Sequence, residues 1–511
     1  MQSSPEKSSL TRVALELWNS RDTVPQVEFA QPSQLPFGPT TQLGRISWSD
    51  EVWDRFTAAQ RDRSVRNIKR WFFADCFAGF GTRDQIIHQI HVTQQKHVGE
   101  FDIPQTYSVT EKDSGRQRIL SSLPEPHGAR HRRGDVLHRL GKEVLAQLNQ
   151  KQPRKNCTMF AARLANLECV DLIEQLHESD AASYLCAPCL NHPDDSCRLL
   201  PSAETMENTS RKLRNSGIMD PDDVANQDIV ADDWVLMYTG GVPCIDCSAM
   251  SNCAQGDGGT TMLATSTMMS EIKHSDPQPD LGYVECNHRW NSSILADACP
   301  QHKTAKMILQ GEDHGDIYSR PRGGTLSTSG RLQFMEPLEN FLATTGSKVH
   351  PLCKASDLWS ASDSEQELEL LELCKKRVVP VGVPAEELTW NDVLLPTQKA
   401  RRQGYEELFE QRVQAGRAKH DDDWWCDLEQ NPDGPRSKLH VDSSVHSQYK
   451  PLSTLITHQT LWHGTRQTVM CATDQARAHC RKWCNEAVGT LRFRIRSDLF
   501  WVPNRRLRLV R

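Results

Sequence analysis

The sequence predicts an α/β protein built on a parallel sheet with helices on both faces. From residue 71 onward, short apolar runs alternate with stretches of helical periodicity. Several of these runs end in an acid or in glycines, where a parallel strand turns toward the next helix. The chain has 511 residues, more than one ordinary domain, so a large unit with appended regions is expected.

In chain order, residues 1–70 form an extension. Pro5, Pro25, Pro32, Pro36 and Pro39 break its periodicity, so it should be loosely attached up to about residue 48. Ser49 is the expected cap of a helix over 50–69 that carries Val52, Trp53, Phe56 and Ala59 at helical spacing. Residues 71–81 read as a buried strand running into a glycine turn, with a helix over 82–90. Residues 106–111 are a second strand ending in an acid, and Gly134-Asp135 marks the end of a third. Between 140 and 230 come helical pieces (143–148 and 161–176) and a cysteine-rich loop. Residues 234–241 are a buried strand, 262–272 a helix, and 283–285 and 307–309 short strands.

Past about residue 335 the pattern changes. Ser362 and Glu365 spell a capping box before Leu368 and Leu371. A charged helix over 397–420 is ended by Asp421 to Trp425. Residues 491–496 alternate apolar and basic, which suits either a phosphate-contacting strand or a solvated edge.

Net charge is −6, which excludes a globally basic nucleic-acid binder but leaves room for a local basic groove. No apolar run approaches the ~18 residues of a membrane span. The first residues lack the apolar core of a secretory signal. An intracellular chain is therefore expected, with its 17 cysteines as free thiols.

Asp75-x-Phe77-x-Gly79-x-Gly81 places glycines at a strand-to-helix turn, where backbone N–H groups can approach a ligand. Glu111 can accept hydrogen bonds from ribose hydroxyls, and Asp135 one from an adenine amino group. The three together point to an adenosine-type cofactor. Gly240-Gly241-Val242-Pro243-Cys244 puts a thiol just past a buried strand. Taken alone, this pair reads as a buried structural cysteine. Glu285 ends another strand, and Arg320-Pro321-Arg322 supplies two cations.

In this order the motifs resemble those of the cytosine-5 DNA methyltransferase family. The glycine turn is similar to its first motif, and Gly240 to Cys244 to its Gly-Gly-x-Pro-Cys motif. Glu285-Cys286-Asn287 is similar to Glu-Asn-Val, and Tyr318 to Arg322 to Gln-Ser-Arg-x-Arg. Asn485 falls in a segment similar to the last motif, with its glycine lost.

The resemblance implies a Rossmann-like mixed sheet that binds S-adenosyl-L-methionine (AdoMet). Asp75, Phe77, Gly79, Gly81, Glu111, Asp135, Pro243 and Asn485 would hold it. Cys244 is the implied nucleophile on cytosine C6, and Glu285 the group at N3. Arg320 and Arg322 would hold O2 and orient Glu285. DNA is the implied partner and the nucleus the implied location, with no membrane. RNA and a non-catalytic nucleic-acid-binding relative are the rival readings.

The expected layout is a catalytic domain at 71–335 with an insertion at 140–230. A smaller target-recognition region follows at 336–445, and 446–511 returns to the catalytic domain. Within the insertion, Cys186, Cys189, His192 and Cys197 offer a donor set for a structural zinc. The other reading is a loop with incidental thiols.

Overall fold

The structure is a computed structural model. It describes residues 23–30, 34–37, 48–68, 71–78, 86, 90, 92–97, 106–121, 129–151, 159–179, 186–193, 196–215, 235–242, 260–288, 290–315, 321–332, 334, 337–348, 350, 355–359, 361–376, 388–434, 439–442, 459–471 and 474. The chain divides into two compact units. Met1–Gln31, Ser49–Leu309 and Pro321–Thr344 form the first; Pro32–Trp48, Gln310–Arg320 and Thr345–Arg511 form the second. No described helix is long and apolar enough to cross a membrane.

The first unit contains strands β1 (Trp71–Cys76), β2 (Thr106–Thr110) and β3 (His131–Arg133), then a small hairpin, β4 (Cys186–Pro188) and β5 (Ser196–Arg198). Strands β6 (Val235–Gly241), β7 (Leu281–Cys286), β8 (Lys303–Leu309) and β9 (Arg322–Thr328) follow. Seven strands form one sheet in the order β3-β2-β1-β6-β7-β9-β8. Only β9 runs against its neighbours. This is a mixed, Rossmann-like sheet. Its order reverses between β1 and β6, the crevice where open α/β sheets bind ligands beyond the carboxyl ends of the strands.

The described helices of eight or more residues in this unit are α1 (Trp48–Arg55), α2 (Ala58–Ile68), α3 (Ser114–Ser121), α4 (Lys142–Lys151), α5 (Met159–Ser179), α6 (Ala203–Asn215) and α7 (Thr260–His274). Strand alternation decides which residues meet which helix. Phe72, Ala74 and Cys76 of β1 lie in register with Leu236, Tyr238 and Gly240 of β6. They share a core with Met268, Met269 and Ile272 of α7. At Gly240 a Cβ would sit 2.4 Å from Met268 Cε, so the helix packs this closely only because the residue is glycine. Val109 of β2 clusters instead with Leu120 of α3.

Two expectations for the extension change. The helix over 50–69 is two helices, because Thr57 starts a new one. Its N–H donates to Gln60 Oε1 at 2.8 Å, and Gln60 N–H donates back to Thr57 Oγ1 at 3.3 Å. Ser49 is not the cap; it lies inside α1 and bonds Thr93 Oγ1 at 2.8 Å. Nor are residues 23–27 loose. Val27 N–H donates to Lys306 O (2.8 Å) and Lys306 N–H to Pro25 O (3.0 Å), so this segment runs along β8.

The second unit holds helices α8 (Asp363–Lys376), α9 (Trp390–Val393) and α10 (Pro396–Gln414), and strands β10 (Asp423–Asp427), β11 (His440–Asp442), β12 (Leu461–His463) and β13 (Thr468–Val469). The strands form an antiparallel sheet, β11-β10-β12-β13. Ser362 and Glu365 form the expected reciprocal cap, with Ser362 N–H donating to Glu365 Oε2 at 2.9 Å. Residues 421–425 do not merely end a helix. Trp424 and Trp425 are buried, and the core built on Trp424, Trp462, Tyr405 and Phe409 makes β10 a strand. The described strands of 446–511, β12 and β13, belong to this antiparallel sheet.

Candidate active site at the carboxyl edge of the sheet

The carboxyl ends of β1, β2, β3, β6 and β7 share one edge, and the reversed strand β9 begins there. Register brings the predicted residues to this edge in turn. Asp75 pairs with Thr239 and Val109, and Gly241 pairs with Glu285. Glu285 is opposite Gly324, and Arg322 is two residues before Gly324. Since side chains two apart share a face, Asp75, Thr239, Gly241, Glu285 and Arg322 line one face of the sheet.

Arg322 Nε lies 2.8 Å from Glu285 Oε1. The pair is half-buried, with side-chain exposures of 22% and 36%. The start of β9 passes close to the turn after β7. At Gly323 a Cβ would sit 3.1 Å from His288 Cα and 3.2 Å from Asn287 O. The glycine permits the approach that seats Arg322 beside Glu285.

Asp75 is buried and accepts a hydrogen bond from Thr239 Oγ1 at 2.8 Å, which ties the two switch-point strands together. The next turn begins at Phe77, whose φ is 57°. That backbone conformation is strained for a bulky side chain. Ala78 N–H then donates to Thr110 O at 3.0 Å.

Glu111 is buried, and its Oε1 accepts the Asp113 N–H at 2.9 Å. Asp135 caps a 3-10 turn over Val136–Leu140, accepting the Leu137 N–H at 3.0 Å. One of its oxygens is thus engaged by its own chain, which gives the residue a structural task.

Gly79, Gly81, Pro243, Cys244, Arg320 and Asn485 lie outside the described residues, as does the segment 491–496. Gly241 is described, and Cys244 follows it by three positions in sequence.

The opposite face of the same edge holds a buried polar network that sequence reasoning missed. Arg139 donates to Glu271 and to Thr110 Oγ1. Tyr238 OH donates to Glu271 Oε2 at 3.2 Å and lies 2.8 Å from Cys76 Sγ. Burial pushes the Cys76 thiol up, although Arg139 pulls it down, so the thiolate is disfavoured there. Burial opposes the charge on Arg139 most strongly, but Glu271, Cys76 and Tyr238 together hold the guanidinium above its ordinary range. The available signal was Glu271 itself, the one acid in helix α7.

Elsewhere in this unit, Cys189, His192 and Cys197 come together as expected, and His131 of β3 joins them. Cys186 is described only as a residue of β4.

A scan of the chain against protein-family models finds no match, and a search of curated proteins finds none.

Proposed function

We propose that the chain is an AdoMet-dependent methyltransferase acting on C5 of cytosine in DNA. The observation that carries this reading is the Glu285–Arg322 pair on the sheet's carboxyl edge. It lies in register with Gly241, the end of the strand that leads into Pro243-Cys244.

Two features suit an adenosine ligand. The backbone leaves β1 through a left-handed turn at Phe77, and carboxylates follow successive strands at Glu111 and Asp135. Asp75, Phe77, Glu111 and Asp135, with Gly79, Gly81, Pro243 and Asn485, would hold it. When bound, AdoMet supplies the electrophilic methyl group.

The chain's own residues do the rest. The Cys244 thiolate adds to C6 of a cytosine turned out of the duplex, making C5 nucleophilic. Glu285 hydrogen-bonds or protonates N3, where charge develops during the attack. Arg322 fixes the Glu285 carboxylate, and Arg320 would bind O2. Loss of the C5 proton then expels the thiolate and restores the cysteine. A nuclear location follows from this reading.

The test uses an oligonucleotide carrying 5-fluorocytosine, with AdoMet. Fluorine cannot leave as the C5 proton does, so the cysteine adduct persists. The adduct should map to Cys244 and vanish in Cys244→Ser, while Cys247→Ser and Cys253→Ser still trap. Glu285→Gln should slow adduct formation about 100-fold, the usual effect of losing a charge-stabilising group. Trapping that survives in Cys244→Ser overturns the assignment. Trapping on RNA alone moves the substrate class. AdoMet-bound protein that traps on neither DNA nor RNA overturns catalysis.

A further inference from the structure

We infer that His131, Cys189, His192 and Cys197 form a zinc site that fastens the β4–β5 hairpin to the edge strand β3. The inference is independent of the methyltransferase reading.

The geometry is that of a ligand shell. Cys189 Sγ is 3.4 Å from His192 Nδ1 and 3.8 Å from His131 Nδ1. Cys197 Sγ is 3.5 Å from His192 Nδ1. The donor atoms of all four residues lie within 4.8 Å of one another. In a tetrahedral zinc site, bond lengths of about 2.0 Å to nitrogen and 2.3 Å to sulfur place neighbouring N and S ligands about 3.5 Å apart. The sulfur–nitrogen separations therefore match the edges of one coordination tetrahedron.

The donors come from two places in the chain, so local sequence alone does not bring them together. His131 is on β3; the other three lie in the loop and second strand of the hairpin. A hairpin with three residues in each strand is too small to be stable alone. This one is held against β3 by Leu190 N–H donating to Arg132 O at 2.8 Å. Asn191 Nδ2 adds bonds to Ala129 O (3.1 Å) and Arg130 O (2.9 Å). A metal closing the same contact acts as the staple that such elements ordinarily need. Charge agrees: two thiolates neutralise Zn²⁺, so the centre adds no net charge beside Arg130, Arg132, Arg133 and Arg198. Of the donor set suggested by spacing, Cys189, His192 and Cys197 are in this shell, and His131 supplies the fourth ligand among the described side chains.

The experiment measures metal in the full-length chain, expressed with zinc and desalted, by inductively coupled plasma mass spectrometry. One zinc per chain is expected. Cys197→Ser and His131→Asn should each lose most of it, and Cys186→Ser should keep it. Because His131 is buried, so that its variant is open to misfolding, wild-type protein reconstituted with Co²⁺ provides a second reading. Its visible spectrum should be that of tetrahedral cobalt with thiolate ligands, and should be absent in Cys197→Ser. A wild-type chain that binds no zinc even after incubation with Zn²⁺ overturns the site. So does zinc lost in Cys186→Ser but retained in folded His131→Asn.

Discussion

Glu271→Gln should destabilise the first unit by about 3 kcal/mol or more, although the new side chain has nearly the same volume. The estimate rests on burial. The Arg139 and Glu271 side chains are 3% and 2% exposed, so neither charge has water to fall back on. Removing one partner of a buried pair leaves the other charge uncompensated, at a cost of about 3–5 kcal/mol. Salt should barely change the loss, because the pair is shielded from counterions.

The informative comparison is the double variant Arg139→Met/Glu271→Leu. It removes both charges together and should cost less than the sum of the singles, with a coupling of about 2 kcal/mol or more. The Thr110 and Tyr238 hydroxyls lose partners in the double variant, which keeps it below wild type. Urea unfolding measures the free energies, and hydrogen exchange at β1 and β6 amides assigns the loss to this unit. A coupling under about 0.5 kcal/mol would refute the reasoning, since that is the range of solvated pairs.

Two further outcomes follow from single residues. Asp135→Ala should cost about 1 kcal/mol through loss of the cap on the 136–140 turn, and should also weaken AdoMet binding in calorimetry. Unchanged AdoMet affinity would remove Asp135 from the cofactor set. In the second unit, burial pushes His463 down to about 4, against the pull of Asp423. A depressed histidine stabilises the fold above its ordinary value near 6.5, and that contribution is lost as pH falls toward 4. Unfolding of β10 and β12, followed by hydrogen exchange from pH 6.5 to 5, should show this slope in wild type and much less of it in His463→Gln. Equal slopes in the two proteins would exclude His463 as its source.

Residues 71–76 and 235–241 were legible as apolar runs because most of both strands is shielded from water. Strand β3, His-Arg-Arg, carries no such signature; as an edge strand it is held by backbone bonds and by the hairpin loop. Strand β9 was hidden by Gly323 and Gly324, which permit close approach but are depleted in strands. In the candidate site, Glu285 was readable as an acid at a strand end. Its pairing with Arg322 depends on β9 running backwards, which no local pattern encodes. Arg139 and Glu271 are 132 residues apart, and His131 lies 58 residues from Cys189, so only the folded chain joins them.

Both margins of the seven-stranded sheet are occupied by chain from elsewhere in the same unit. At β8 residues 25–27 pair with Lys306, and at β3 Leu190 takes the Arg132 carbonyl. Open margins would be templates for recruiting strands from other molecules, the first step of self-association. The N-terminal segment and the hairpin insertion therefore also limit growth of the sheet. Removing either would open a margin to a second copy, so a trimmed chain is expected to self-associate.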